Sequence, residues 1–197
     1  DNYQNRYAAQ NQDMSIEKTM LLGYDLKIRP DDGSYNRLTP EQRAKFDAYY
    51  KPIEEDFLKR NLTGKALAEW KFQRYMHDYV STAVSLDNSI GELMDYLDKN
   101  GLRENTVVMY TSDQGFYLGE HGWFDKRFMY EESFKTPLII RYPPMVKPGA
   151  KNNDLVQNID FAPTFLDLAN VVIPATIQGE SFLPLLQKKV TKKWRDY

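Results

Sequence analysis

The longest periodic stretch of the chain is Tyr79–Lys99. Ala83, Leu86, Ile90, Leu93, Met94 and Leu97 recur there at spacings of three and four, which predicts a helix with one apolar stripe. Asn100-Gly101 follows as a left-handed C-cap. Upstream, Thr39-Pro40-Glu41-Gln42 combines an N-cap, a first-position proline and a capping-box glutamine, so a helix is predicted from there to about Arg60. Thr63 is a further N-cap, with helix from about Lys65. The pattern then changes. Thr106–Thr111 is a short β-rich run, and Pro137–Tyr142 is another, stopped by Pro143-Pro144; both are predicted as buried strands. Between them, residues 113–135 mix glycines, charges and aromatics and are predicted as loop. Asp160 is predicted to cap a helix to about Ala169, with Pro163 tolerated in the first turn. Residues 1–36 are polar and predicted as loop, with a short helical piece near Met14–Leu22. The order helix, strand, loop, strand, helix predicts an α/β sheet flanked by helices.

Composition narrows the classes. The 197 residues carry 26 Lys and Arg against 28 Asp and Glu, so no basic surface for nucleic acid or anionic lipid is implied. Hydrophobic residues make up 42%, which is globular rather than disordered. No apolar run approaches the roughly 20 residues of a membrane span. There is no cysteine, which excludes disulfides, thiolate metal sites and a cysteine nucleophile within the chain and leaves the redox compartment open. The first residues, Asp1-Asn2-Tyr3-Gln4, have no initiator Met and no leader character. The chain is therefore expected to be an internal piece of a longer protein.

The chemistry-bearing segment is Thr111-Ser112-Asp113-Gln114-Gly115, then Leu118-Gly119-Glu120-His121-Gly122, then Lys126. Asp113 and Gln114 fall just past the first predicted strand, at the edge where open α/β sheets place ligands, and that strand is expected to be a parallel one. A carboxylate beside an amide oxygen offers two hard donors, suited to Ca²⁺ or Mg²⁺. A polar strand-end turn, with Asp113 bonding its own backbone, reads the same residues equally well. Lys126 sits among Trp123, Phe124, Phe128 and Tyr130, either a pocket-wall cation or a solvated loop lysine. His121 either lines a substrate subsite or orients the loop, and His77 reads as a partly exposed helix residue. Asp87 is expected to be paired or capping, and Gly91 to permit close helix–sheet approach.

Tyr110-Thr111-Ser112-Asp113-Gln114-Gly115 followed by Leu118-Gly119-Glu120-His121-Gly122 resembles the C-terminal part of the catalytic domain of type I sulfatases, the formylglycine-dependent enzymes of the alkaline phosphatase superfamily. Flanking stretches resemble the same family: the Tyr79–Leu97 helix, Asn105-Thr106-Val107-Val108, Thr136-Pro137-Leu138-Ile139-Ile140, Asp160-Phe161-Ala162-Pro163-Thr164, and the run from Gln178 to Leu186. The resemblance implies a partial alkaline phosphatase-like domain. Residues 1–70 form a polar loop and helical region, and 71–186 the core match with a metal and sulfate loop at 113–126. Residues 187–197 then lead into a missing C-terminal subdomain with its small antiparallel sheet. It also implies that Asp113 and Gln114 bind Ca²⁺ (or Mg²⁺), that Lys126 contacts the sulfate and supports the leaving oxygen, and that His121 is a substrate-side residue. The substrate would be a sulfated small molecule or glycan, and the compartment periplasmic, secreted or lysosomal.

The family's nucleophile lies in a Cys/Ser-x-Pro/Ala-x-Arg pattern, matured to formylglycine. The chain contains no such pattern, nor recognisable counterparts of the further metal aspartates or of the histidine that protonates the leaving group. These are expected upstream of Asp1. Two other readings stay open: a phosphonate or phosphate ester hydrolase of the same superfamily, and a catalytically inactive carbohydrate-binding homologue.

Overall fold

The computed structural model describes residues 5–30, 33–188 and 194–195. These contain helices α1 (Ala8–Gln12), α2 (Gly33–Asn36), α3 (Pro40–Arg60), α4 (Gly64–Lys99), α5 (Glu131–Phe134), α6 (Phe161–Leu168) and α7 (Leu183–Leu186), and strands β1 (Val108–Thr111), β2 (Tyr117–Leu118), β3 (Phe124–Asp125) and β4 (Leu138–Arg141). None of these helices is long and apolar enough to cross a membrane. The chain divides into two compact units, Asp1–Gly91 with Gln114–Lys135, and Glu92–Asp113 with Thr136–Tyr197.

In the first unit α3 begins on the predicted capping box. Thr39 Oγ1 accepts from the Gln42 backbone at 3.2 Å, and Gln42 Oε1 accepts from the Thr39 backbone at 3.0 Å. The helix ends at Asn61, in the left-handed region at φ 46°. α4 then runs unbroken from Gly64 to Lys99. The segment before α3 departs from expectation. Its helices are α1 and the short α2, and residues 14–22 form turns instead. Met14 takes φ 58°, outside any helix, and Ile16, Met20, Leu26 and Ile28 are buried with Phe57 against Trp70, Phe72 and Tyr75. Those apolar positions fill an irregular core rather than one helix face, which is why they lack periodicity. Lys71 ties the segment to α4: its buried ammonium donates to the carbonyls of Glu17 and Met20, both at 2.9 Å, and burial lowers its pKa. Arg74, also buried, pairs with Asp78, which accepts from Tyr50 of α3 at 3.1 Å.

The predicted stripe of α4 is largely open. Leu97 is buried, but Leu86 and Leu93 are about half exposed, as are Val80 and Val84. Asp87 is exposed and makes no ion pair among the described residues. A Cβ on Gly91 would meet nothing within 4 Å, so this glycine does not serve a close approach.

In the second unit β1 pairs with β4, Val108 opposite Arg141 and Thr111 opposite Leu138. This ladder is antiparallel, where a parallel strand was expected, because β4 returns along β1 after the intervening excursion. Nor are both strands buried: Met109 and Ile140 pack on Phe182, Leu185 and Trp194, while Tyr110 and Ile139 on the other face stay exposed. Arg141 reaches Asp98 at the end of α4, at 2.5 Å. Leu102 N–H closes that helix on Leu97 O at 2.9 Å, with Gly101 at φ 67°, the predicted C-cap.

The helix after residue 160 forms as predicted, but Asp160 does not cap it with its side chain. The carboxylate is fully buried and instead accepts the backbone N–H groups of Gln157 at 2.8 Å and Glu180 at 2.9 Å. The Arg195 guanidinium, at 2.9 Å, neutralises it. A buried carboxylate needs its charge compensated more than an exposed helix start needs a cap. Gly179 permits this crossing, since a Cβ there would lie 2.5 Å from Ile159 C.

Candidate functional site

Asp113 lies two residues past the end of β1 and is exposed. Its carbonyl accepts from Asn158 Nδ2 at 2.9 Å, which holds the backbone, while among the described residues its carboxylate meets only Ser112 Oγ, at 3.4 Å. Gln114 is half-buried, and its amide makes no hydrogen bond among the described residues. The next residue explains how the pair is held. Gly115 is buried and donates its N–H to Ser133 O at 2.8 Å. A Cβ at this position would lie inside contact distance of Glu132 O, 2.8 Å from Glu132 C and 3.0 Å from Lys135 O. Only glycine lets the backbone at position 115 run beneath the 132–135 strap.

Beyond it, β2 and β3 form a two-stranded ribbon, Tyr117 opposite Asp125 and Leu118 opposite Phe124. Gly119 at φ 115° turns the chain above the Phe72 ring, where a Cβ would be 2.7 Å from Cε2. Tyr117 is fully buried, donates to Phe128 O at 3.0 Å and has its pKa raised by burial. Trp123 is buried beside it and donates to Gln10 O at 3.1 Å.

Lys126 lies in the turn after β3, exposed, and makes no hydrogen bond or ion pair among the described residues. Its neighbours are pinned. Asp125 is left-handed at φ 71° and accepts from Arg127 at 3.0 Å. Arg127 in turn grips Asp13 through both carboxylate oxygens, at 2.9 and 3.1 Å. One cation of the turn is neutralised twice, and the other has no partner among the described residues.

His121 is bound on both ring nitrogens. Arg6 Nη2 lies 3.3 Å from Nδ1, and Arg6 Nη1 donates to His121 O at 3.1 Å. An arginine only donates, so Nδ1 accepts and the proton sits on Nε2, which faces Glu132 Oε1 at 3.3 Å. The ring packs on Tyr130 and Trp123, and Arg6 lies 4.5 Å over the Trp123 ring. The residue takes φ 59°, a strained value for a side chain with a Cβ. His77 is exposed beside Asp78, as predicted.

Sequence reasoning singled out Asp113, Gln114, Lys126 and His121 and assigned no part to Gly115, Arg6 or Glu132. The glycine after Gln114 was a legible signal; the other two lie too far along the chain from His121 to be joined to it by any local pattern. Two oxygen donors fit the chemistry of a hard divalent cation, and neither is in an ion pair among the described residues, but they are too few alone. Among the described residues no group of three or more His, Asp or Glu gathers to complete such a site.

Comparison with known proteins places the chain in a family. Residues 119–197 match the family described as N-sulphoglucosamine sulphohydrolase, C-terminal. The chain is 46% identical to an N-acetylglucosamine-6-O-sulfatase of Bacteroides thetaiotaomicron, over 99% of this chain and 38% of that protein. It is 40% identical to the N-acetylglucosamine-6-sulfatase of Bos taurus over 58% of its length, which is 20% of that protein. It thus spans well under half of these relatives. A solved structure described as a complex with its substrate D-glucosamine-2-N,6-O-disulfate superposes with a TM-score of 0.89 at 46% identity, covering 99% of this chain and 42% of that one. A phosphonate monoester hydrolase from Silicibacter pomeroyi superposes at 0.61 with 27% identity, over 82% and 29%. The fold is that of the alkaline phosphatase superfamily. The chain belongs to the sulfatase family.

Proposed function

We propose that the enzyme carrying this chain hydrolyses a sulfate ester, on the 6-oxygen of a glucosamine unit. The observation that carries the reading is the Lys126 ammonium, without a partner among the described residues, on a turn whose flanking residues are pinned. The 46% identity to a glucosamine-6-O-sulfatase across nearly the whole chain supports it. Asp113 and Gln114 would contribute two oxygen ligands to Ca²⁺ or Mg²⁺, which when bound stabilises negative charge on the sulfuryl oxygens. Lys126 would donate a charge-assisted hydrogen bond to the sulfate and to the oxygen that leaves as an alkoxide. His121 would hold the loop from the side and form part of the substrate wall. The formylglycine nucleophile and the remaining metal ligands have no counterpart in the 197 residues, so on this reading the isolated chain has no turnover.

In the full-length enzyme, assayed on 6-O-sulfated N-acetylglucosamine, Asp113→Asn should lower metal affinity and turnover together, because a formal charge leaves the cation's ligand set. Lys126→Ala should cut kcat by roughly 10²–10³-fold while leaving thermal stability unchanged, as for a lost oxyanion donor. Full turnover in Lys126→Ala sinks the assignment. The likeness to a phosphonate monoester hydrolase favours a second reading, in which a phosphonate monoester is the substrate. An aryl phosphonate turned over faster than the sulfated sugar selects it.

A further inference from the structure

Both ends of the β2–β3 ribbon are held by one short turn of the first unit, residues 130–135, which includes the strap over Gly115. The turn is closed on itself. Ser133 N–H and Phe134 N–H donate to Tyr130 O at 2.9 and 3.3 Å, and Lys135 N–H donates to Glu131 O at 2.7 Å, so its backbone and side chains move as one piece. Its backbone grips the root of the ribbon, through the Gly115–Ser133 hydrogen bond and the close approach of Glu132 O to Gly115. Its Glu132 side chain reaches the tip, where Oε1 lies 3.3 Å from His121 Nε2 and the carboxylate is only 26% exposed. The neighbouring Glu131 is exposed and makes no ion pair among the described residues, so one of the two adjacent carboxylates is committed and the other is not.

The Glu132–His121 contact closes residues 121–132 into a loop, and Lys126 rides on it. Tyr117 and Arg127 fasten the middle of that loop, through Phe128 O at 3.0 Å and the Asp13 carboxylate at 2.9 Å, and the Glu132–His121 contact fastens its ends. His121 is a fixed target for the carboxylate. Arg6 holds its Nδ1 and its carbonyl, and the Tyr130 ring lies 5.0 Å from the imidazole. Its φ of 59° is kept only where the surroundings over-determine it. With Arg6 at one ring nitrogen and Glu132 at the other, the pair is built for holding rather than for proton transfer. Resting on the sulfatase reading, we propose that Glu132 is a positioning residue. Acting through His121, it fixes the path of residues 121–132 and thereby the place of the Lys126 ammonium at the departing oxygen.

The test compares Glu132→Ala, Glu132→Gln and Glu131→Ala with the wild type in the full-length enzyme, on 6-O-sulfated N-acetylglucosamine, at a temperature where circular dichroism shows each to be folded. Glu132→Ala should lower kcat by about tenfold to a hundredfold, since a misplacement of about 1 Å can cost roughly 10²-fold. Its KM should stay within about threefold, the pattern of an interaction lost in the transition state. Glu132→Gln keeps an acceptor for the Nε2 proton and should hold kcat within about threefold of the wild type. Glu131→Ala should leave kcat unchanged. Glu132→Ala combined with His121→Ala should be no slower than the slower single variant, because both break one contact. Wild-type kcat in folded Glu132→Ala would make the residue purely structural and overturns the proposal. So does a Glu132→Gln enzyme as slow as Glu132→Ala, which would make the charge the agent, an equal loss in Glu131→Ala, or additive losses in the double variant. Where Glu132→Ala does not fold, Glu132→Met, which keeps the stem without the acceptor, takes its place with the same expectations. If the wild type turns over no sulfated glucosamine, the sulfatase reading has failed, and hydrogen exchange decides the holding role. Faster exchange across residues 121–132 in Glu132→Ala, reversed in Glu132→Gln, supports it, and unchanged exchange overturns it.

Discussion

Replacing Gly115 by alanine probes how the strand end is held. Its backbone is not in the left-handed region, so the effect is steric rather than conformational. The added Cβ would press on the Glu132 carbonyl, 2.8 Å from its carbon, and on Lys135 O at 3.0 Å. Ordinary contacts lie at about 3.5–4.0 Å, and backbone cannot rotate aside as a side chain can. The strap at 132–135 must therefore retreat by about 1 Å or more. Overpacking of this kind costs about 1–3 kcal/mol, and stretching the Gly115–Ser133 hydrogen bond adds about 0.5–1.5 kcal/mol. The expected destabilisation is about 2–4 kcal/mol. Function should suffer further, because Gln114 moves with Gly115, and a misplacement of about 1 Å can cost roughly 10²-fold in rate. The measurements are urea unfolding and turnover of the sulfated sugar by the full-length enzyme. Gly91→Ala is the control: its Cβ meets nothing within 4 Å on a helix, so it should stabilise by up to about 1 kcal/mol. A Gly115→Ala enzyme with the wild-type urea midpoint and turnover would refute the steric argument.

His121→Ala should lower stability by about 1–3 kcal/mol through the loss of its Arg6 and Glu132 partners, with His121→Gln restoring part of it; calorimetric melting reads both, and a change in kcat without one in melting contradicts the holding role. Arg195→Met leaves the buried Asp160 carboxylate uncompensated and should destabilise by about 3–5 kcal/mol in chemical denaturation, whereas a shift below 1 kcal/mol would show the carboxylate to be satisfied by backbone alone. The Lys71 pKa is depressed below 10.5 in the folded protein, so between the folded value and 10.5 the unfolded chain binds more protons and stability from this group rises with pH. Tyr50 opposes that rise, because burial and Asp78 push it up to about 12 and its contribution is lost from pH 10 to 12. The Lys71 effect is therefore read as wild type minus Lys71→Met across an alkaline series, and a flat difference rejects it.

Local signals carried far. The Thr39 capping box, the Gly101 C-cap, α4 and the two β-rich runs were legible because caps and periodicity are written within a turn or two of chain. The motif from Tyr110 to Gly122 likewise named the family from contiguous residues. Tertiary structure decided the rest. Ile16, Met20, Leu26 and Ile28 became core because α3 and α4 supply the other wall, and Met14 because Tyr117 and Trp123 do, so their spacing follows no helix or strand. Packing, not amphipathicity, left the middle of the α4 stripe open, since a stripe encodes a capacity for burial and not the neighbour that provides it. The antiparallel direction of β1 on β4 depends on the path of the residues between them. His121 meets Arg6 across 115 positions and Asp160 meets Arg195 across 35, pairings whose energy exists only once the chain has folded back on itself.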